Sequence, residues 1–352
     1  MSPLNSNSTY RLCIIGPLFG KKKGQVTTQS LILSELFTNE EFTVTSASDI
    51  QNVYLRLLDI VWTILSRTRK YDIVMLDIYS GRSMIVQYVV AMLAKLTGKK
   101  LIMFLHGGNL PVYSKEHPNT VKRLFKMADF IGAPSEYLAG FARNLGFKVS
   151  VIPNVIEMSD YNYIYREKVA PKLFWMRNFH PTWNPLMAIR VVDVLIKDYP
   201  DITLVMGGPD KGFRAECETL VKELNVRDHV SFPGFLDKEQ KRKCFDNADI
   251  YLNTNKIDNT PLALIEASAS GLPIVSTNVG GIPFLFKDSE NAMLVESDDA
   301  VQMAGAVKRL IETPELANRL SENGRQFALT YSWENVMGQW KAVFDQLLTL
   351  KH

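Results

Sequence analysis

Short apolar runs alternate with longer amphipathic segments along nearly the whole chain. Runs of four to six residues that are apolar throughout, rather than every second residue, fit strands buried on both faces of a parallel sheet. In the first half strands are predicted at 10–15, 42–46, 72–77, 100–105, 129–133 and 148–152, of which 72–77 and 100–105 come nearest to such runs. The segments between them predict helices over 25–37, 50–65, 83–96 and 135–145. A second series begins near Lys172, with strands at 173–176, 202–206, 229–232, 249–252 and 273–276. Its helices fall at 185–197, 214–224 and 261–270, then from Ala300, Pro314 and Trp333. Strand–helix alternation in two series predicts an α/β protein with two parallel sheets, each covered by helices on both faces.

In open α/β sheets, ligands gather at the C-terminal ends of the strands. The richest strand end lies within Ala248–Pro283. The polar stretch 253–259 leads to Thr260 as a helix N-cap and Pro261 in the first helical turn. That helix is expected to stop at Gly271, and a second strand then leads to the turn Gly280-Gly281. A loop opening directly into a helix N-terminus makes an anion site, because free N–H groups and the helix dipole both point at it. Asp258 stands just before this helix and Glu266 inside it. Other strand ends carry His106-Gly107-Gly108, Arg177, Gly207-Gly208-Pro209 and Pro233-Gly234-Phe235-Leu236.

The segment around Asp258 and Glu266 resembles the signature of the retaining GT-B glycosyltransferases of family 4. Two acids separated by seven residues, then Gly271, Pro273 and the Gly280-Gly281 turn, stand in its register. The resemblance covers roughly residues 10–347 and implies two Rossmann-like domains facing a central cleft. It places an N-terminal acceptor-side domain at 1–155 and a nucleotide-sugar domain at 156–331, with the hinge near Pro153-Asn154. A last helix within 332–352 is expected to return to the first domain. By the same resemblance Glu266 binds the donor ribose and Asp258 touches the transferred sugar. Asn259, Thr260, Pro261 and Leu262 line the donor, Gly208 lies near it, and Phe235 and Leu236 cup the base. Arg177 supplies charge to the diphosphate, and His106 faces the donor sugar. Three departures stand out: Asp258 where Glu is usual, Pro261 where Gly is usual, and Asn184 where a Lys is expected. An amide donates hydrogen bonds to phosphate but brings no charge, so His180 or a lysine of the first domain is a candidate supplement.

The loop Gly20-Lys21-Lys22-Lys23-Gly24, with Gly107 and Gly108, is the candidate acceptor or phosphate loop; a solvated charge run is the competing reading. Residues 1–150 carry 18 Lys and Arg against 10 Asp and Glu, and the remainder 22 against 27. This asymmetry fits either uneven surface or two domains with different partners. The helix at 50–65 ends in Arg67, Arg69 and Lys70, so core packing and membrane-surface contact both remain readings of it. Cys13, Cys217 and Cys244 are far apart and suggest reduced thiols. The polar start suggests no secretory leader, and no run is long enough to span a bilayer. The sequence therefore predicts a cytoplasmic enzyme, with peripheral contact to the membrane surface as a further expectation. No metal, cofactor or nucleic acid is expected. The expected reaction is sugar transfer from a nucleotide-diphospho-sugar, UDP preferred, to a saccharide or lipid-linked acceptor. A non-catalytic nucleotide- or sugar-binding protein and an epimerase on the same fold are the alternatives.

Overall fold

The computed structural model describes residues 10–18, 27–48, 50 and 52–349. The chain divides into two compact units, residues 1–155 with 336–352 and residues 156–335. The first unit contains strands β1 (Arg11–Ile15), β2 (Thr43–Ala47), β3 (Ile73–Ile78), β4 (Lys100–Leu105), β5 (Phe130–Ala133) and β6 (Ser150–Val151). They form one parallel sheet in the order β2-β1-β3-β4-β5-β6. The central pair runs in register from Ile73 opposite Lys100 to Ile78 opposite Leu105. Both strands are buried almost throughout, which is why their sequences are apolar apart from Asp77 and Lys100.

One layer of this unit comes from the far end of the chain. The helix Trp333–Thr349 brings Trp340 and Phe344 to Phe37, Phe42 and Phe104, with ring centroids 5.3–6.1 Å apart. Tyr10 joins the cluster 5.4 Å from Phe344, and its hydroxyl donates to Asp345 Oδ1 at 2.6 Å. Burial, and then Asp345, raise that phenol to about 12.

The second unit contains β7 (Lys172–Met176), β8 (Thr203–Gly207), β9 (Val230–Gly234), β10 (Ile250–Asn253), β11 (Ile274–Thr277) and β12 (Met293–Val295). All are parallel, in the order β12-β11-β10-β7-β8-β9. Apolar clusters cover both faces, one around Trp175, Ile189 and Val307, the other around Phe174, Tyr251 and Leu264. Within the sheet, Trp175 Nε1 donates to Thr254 Oγ1 at 2.8 Å, which ties the end of β7 to the loop after β10.

The predicted elements are present, with shifts at their ends. The helix expected at 50–65 is Val53–Ser66, because Asn52 accepts from the backbone N–H groups of Tyr54 and Leu55 and so sets its start. The helix expected from Gln25 is described from Gln29. The strand expected over 148–152 pairs only at Ser150–Val151.

The aromatic layer gives a direct test. Trp340→Ala removes a buried indole that packs on Phe37 of the helix Gln29–Asn39 and on Phe104 of β4, and is expected to lower unfolding free energy by about 3–5 kcal/mol. Urea denaturation followed by circular dichroism measures this; a loss below about 1 kcal/mol contradicts the packing described.

Candidate functional site

In the second unit β7 and β10 lie side by side, and the chain leaves them in opposite lateral directions. Such a switch point opens a crevice at the C-terminal ends of the two strands. Arg177 follows β7, and the loop 254–261 follows β10. Arg177 Nη2 forms an ion pair with Asp258 Oδ2, and the guanidinium lies 5.0 Å from the Trp183 ring centroid. Asn255 Nδ2 donates to the same carboxylate oxygen at 2.7 Å, and the Asn259 N–H donates to Oδ1 at 2.7 Å. The same two strand ends carry buried polar atoms without a partner: Arg177 Nε, Asn178 Oδ1, Asn253 Oδ1, Asn255 Oδ1 and Thr260 Oγ1. Unpaired buried polar groups cost stability. Their concentration at one strand-end crevice marks a place where a polar ligand would complete the bonding.

Glycines fix where Arg177 and Asp258 stand. Gly280 has φ +57°, and a Cβ there would overlap the Asp258 carbonyl oxygen; at Gly281 it would overlap that of Asn259. The Gly281 N–H donates to the Asp258 carbonyl at 2.8 Å. Gly208, at φ +144°, lies equally close to the Arg177 carbonyl and donates its N–H to Gly234 at 2.7 Å. A side chain at any of the three would push away a backbone that carries a charged residue of the site.

Glu266 sits inside the helix Leu262–Ala269, and Lys241 Nζ reaches its Oε1 at 2.8 Å. The same ammonium lies 3.1 Å from the Tyr161 hydroxyl. Burial foremost, and then the Glu266 carboxylate, push that phenol far above its ordinary value, so it stays protonated. Lys241 belongs to the helix Lys238–Asn247, whose start is fixed by a capping box between Asp237 and Gln240. Phe235 and Leu236 lead into this helix, and the Leu236 side chain lies against Gly207 at the end of β8.

Two expectations are corrected. Thr260 is not the N-cap: Pro261 takes that position at φ −71° and ψ 94°, and the helix begins at Leu262. Pro261 is itself extended at ψ 94°, so the helix starts one residue later than Thr260 would cap, and the Thr260 hydroxyl makes no cap bond. Asn184, buried at φ 49°, donates through Nδ2 to Asp298 Oδ1 at 2.8 Å. Its amide is therefore engaged within the fold rather than presented to an anion. Lys256 Nζ reaches the same Asp298 oxygen at 3.0 Å, bringing a cation beside Asn184. His180 Nδ1 accepts from the Thr182 N–H at 3.2 Å.

In the first unit the switch point lies between β1 and β3. Asp77, near the end of β3, accepts from Ser30 Oγ and packs so closely on Gly16 that a Cβ there would overlap Oδ2. His106 follows β4 and is almost buried, its Nε2 3.2 Å from Asp77 Oδ1 without an aligned hydrogen bond. Its ring stacks on Tyr79 at 5.7 Å and tilts against Phe104 at 4.9 Å. The Gly107 N–H donates to the Ile78 carbonyl, and Gly108 leads to Asn109, which precedes the helix Leu110–Glu116 without a side-chain capping bond. Gly20, Lys21, Lys22, Lys23 and Gly24 lie outside the described residues. Among the described residues no three His, Cys, Asp or Glu side chains are grouped to hold a metal ion.

Sequence reasoning missed Asp77, Lys241 and Lys256. Asp77 ends a strand beside His106 in the sheet, so strand order could have found it. Lys241 carries no sequence signal, because 25 residues separate it from its partner.

Residues 166–327 match the family of glycosyl transferases group 1. A D-inositol 3-phosphate glycosyltransferase of Corynebacterium urealyticum is 28% identical over 173 residues, 47% of this chain and 41% of that protein. An uncharacterized glycosyltransferase of Haemophilus influenzae is 31% identical over 157 residues, 44% of this chain and 43% of that protein. The chain thus matches about two fifths of the length of these curated relatives. The structure of Anabaena HepE in complex with UDP has a TM-score of 0.75 at 14% identity, covering 96% of this chain and 100% of that one. The two six-stranded parallel sheets have the GT-B fold.

The glycine clamp is testable by a pair of alanines. Gly281→Ala is expected to lower unfolding free energy by about 1–3 kcal/mol through overpacking. Gly305→Ala, in the helix Ala300–Glu312 where an added methyl meets nothing within 4 Å, is expected to leave stability unchanged or raise it by about 0.5–1 kcal/mol. Equal urea midpoints for the two variants would contradict the clamp.

Proposed function

We propose that this chain, a GT-B protein whose residues 166–327 form a glycosyl transferases group 1 domain, is a retaining glycosyltransferase. It transfers a hexosyl group from a nucleotide-diphospho-sugar to a saccharide or lipid-linked acceptor in glycan biosynthesis. The observation that carries this reading is the crevice at the β7–β10 switch point. There an Arg177–Asp258 pair and five unpartnered buried polar atoms surround a loop that opens into the Glu266 helix.

As the anomeric carbon–oxygen bond lengthens, negative charge builds on the departing diphosphate. Fixed donors and cations aimed at that charge lower the barrier because they need no reorganisation. Arg177 fills this role beside the first N–H groups of the helix Leu262–Ala269. Asp258 accepts hydrogen bonds from hydroxyls of the transferred sugar. Glu266, steadied by Lys241, accepts from the ribose hydroxyls, and Phe235 and Leu236 flank the base. The acceptor oxygen attacks from the side the leaving group vacates and yields its proton to the departing phosphate. Configuration is then retained without an enzymic nucleophile, and no metal is required. UDP is the preferred nucleotide, in keeping with the UDP complex of the Anabaena fold relative.

Hydrogen bonds to a charged group contribute about 1.5–3 kcal/mol, so Glu266→Gln is expected to weaken UDP binding by roughly 10-fold or more. Calorimetry with UDP, GDP and ADP on both proteins tests this, and equal affinities would remove Glu266 from the ribose site. Release of free UDP from UDP-sugars is expected to continue in EDTA. Loss of turnover on chelation, restored by Mg2+ or Mn2+, would overturn the metal-free scheme.

A further inference from the structure

The helix Val53–Ser66 is apolar on both sides. Ile60, Thr63 and Ile64 face the core of the first unit. Tyr54, Leu55, Leu58, Trp62 and Leu65 follow one another along the outward face, with Tyr54 81%, Leu58 66% and Trp62 72% exposed. The neighbouring helix Ser83–Leu96 packs alongside and does the same on its own outer face, with Ile85 70% and Leu96 74% exposed beside Met92. A helix apolar all round is ordinarily buried, and a continuous exposed apolar face of this kind marks an interaction surface.

Charge and side-chain type indicate what covers it. Both helices follow strands of one parallel sheet and so run in the same direction. Their C-terminal ends therefore lie at the same edge of the sheet. There Arg67, Arg69 and Lys70 follow the first helix; Lys95 stands in the last turn of the second, and Lys99 and Lys100 follow it. Residues 53–100 hold eight basic side chains against three acidic ones, Asp59, Asp72 and Asp77. Asp72 is paired with Arg11 and Lys95 with Asp129, leaving Arg67, Arg69, Lys70, Lys99 and Lys100 as the cationic margin of this edge. Trp and Tyr have an apolar ring and a polar tip, which suits the headgroup level of a bilayer. Leucine and isoleucine between such rings, with a cationic margin, match the interface of an anionic membrane.

We propose that the outward faces of the helices Val53–Ser66 and Ser83–Leu96 form a docking surface for an anionic lipid bilayer. The helices lie in the headgroup plane, Tyr54 and Trp62 anchor them, and the basic edge meets lipid phosphates. This surface is built entirely within the first unit, and its test needs no sugar donor, so it stands or falls apart from the transfer reaction.

The full chain is expected to co-sediment with vesicles of phosphatidylcholine and phosphatidylglycerol in equal parts, and more weakly with phosphatidylcholine alone. Leu58→Ser combined with Trp62→Ser is expected to lower the partition coefficient roughly 10-fold or more, since both side chains would be buried in the interface. Arg69→Glu with Lys70→Glu is expected to lower binding to the anionic vesicles by a similar factor of about 10 and leave phosphatidylcholine binding unchanged. Thermal midpoints equal to that of the parent chain confirm that the variants are folded. No co-sedimentation of the parent chain, or equal co-sedimentation of the parent and the Leu58/Trp62 variant, overturns the proposal. So does a concentration-dependent dimer that the same variant dissolves, which would assign the face to a second copy of the chain.

Discussion

The ion pair between Arg177 and Asp258 joins the ends of two neighbouring strands whose connections run in opposite directions. Neither side chain reaches the other by chance of rotamer. Gly208 lets the chain after β8 press on the Arg177 carbonyl, and Gly280 and Gly281 let the chain after β11 press on Asp258 and Asn259. Backbone contact thereby locks the end of β7 to that of β8 and the end of β10 to that of β11, and the ion pair joins the two. Placing an opposite charge opposite each partner orients both, and Asn255 and the Asn259 N–H hold the same carboxylate. Site and sheet are thus one construction: what stiffens the C-terminal edge also sets the spacing of the charges.

Much of this was legible in the sequence, for identifiable reasons. Strands buried on both faces leave apolar runs, as in 101–105 and 204–206, and the strands expected at 100–105 and 202–206 match β4 and β8 to within a residue or two. The Gly280-Gly281 pair was legible because positive φ and close approach leave few alternatives to glycine. Helix starts were harder to place. At Thr260-Pro261 a good N-cap residue and a proline suited to the first helical turn agree locally, yet Pro261 stays extended at ψ 94° and the helix begins one residue later.

Pairings across long sequence separations left no signal. Asn184 was readable as a phosphate amide because its neighbours in sequence suggested it, whereas Asp298, 114 residues away, takes that amide. Lys241 meets Glu266 only because the capped helix after Leu236 turns one basic position inward. His106 stood out at a strand end, yet its nearest charged neighbour, Asp77, belongs to the adjacent strand and is adjacent only once the sheet order is known. Charge partners of this kind belong to tertiary structure, and local propensity says nothing of them.

The aromatic layer around Trp340 and Phe344 carries a consequence for synthesis. The first unit's strands emerge from the ribosome early, but the rings that seal Phe37, Phe42 and Phe104 arrive only with the last helix. Roughly 180 residues of the second unit are made in between, which at about 5–20 residues per second takes on the order of 10–40 s. During that interval the first sheet has its strands but lacks part of its apolar cover. The unit that begins first along the chain is therefore completed only after the second has been made.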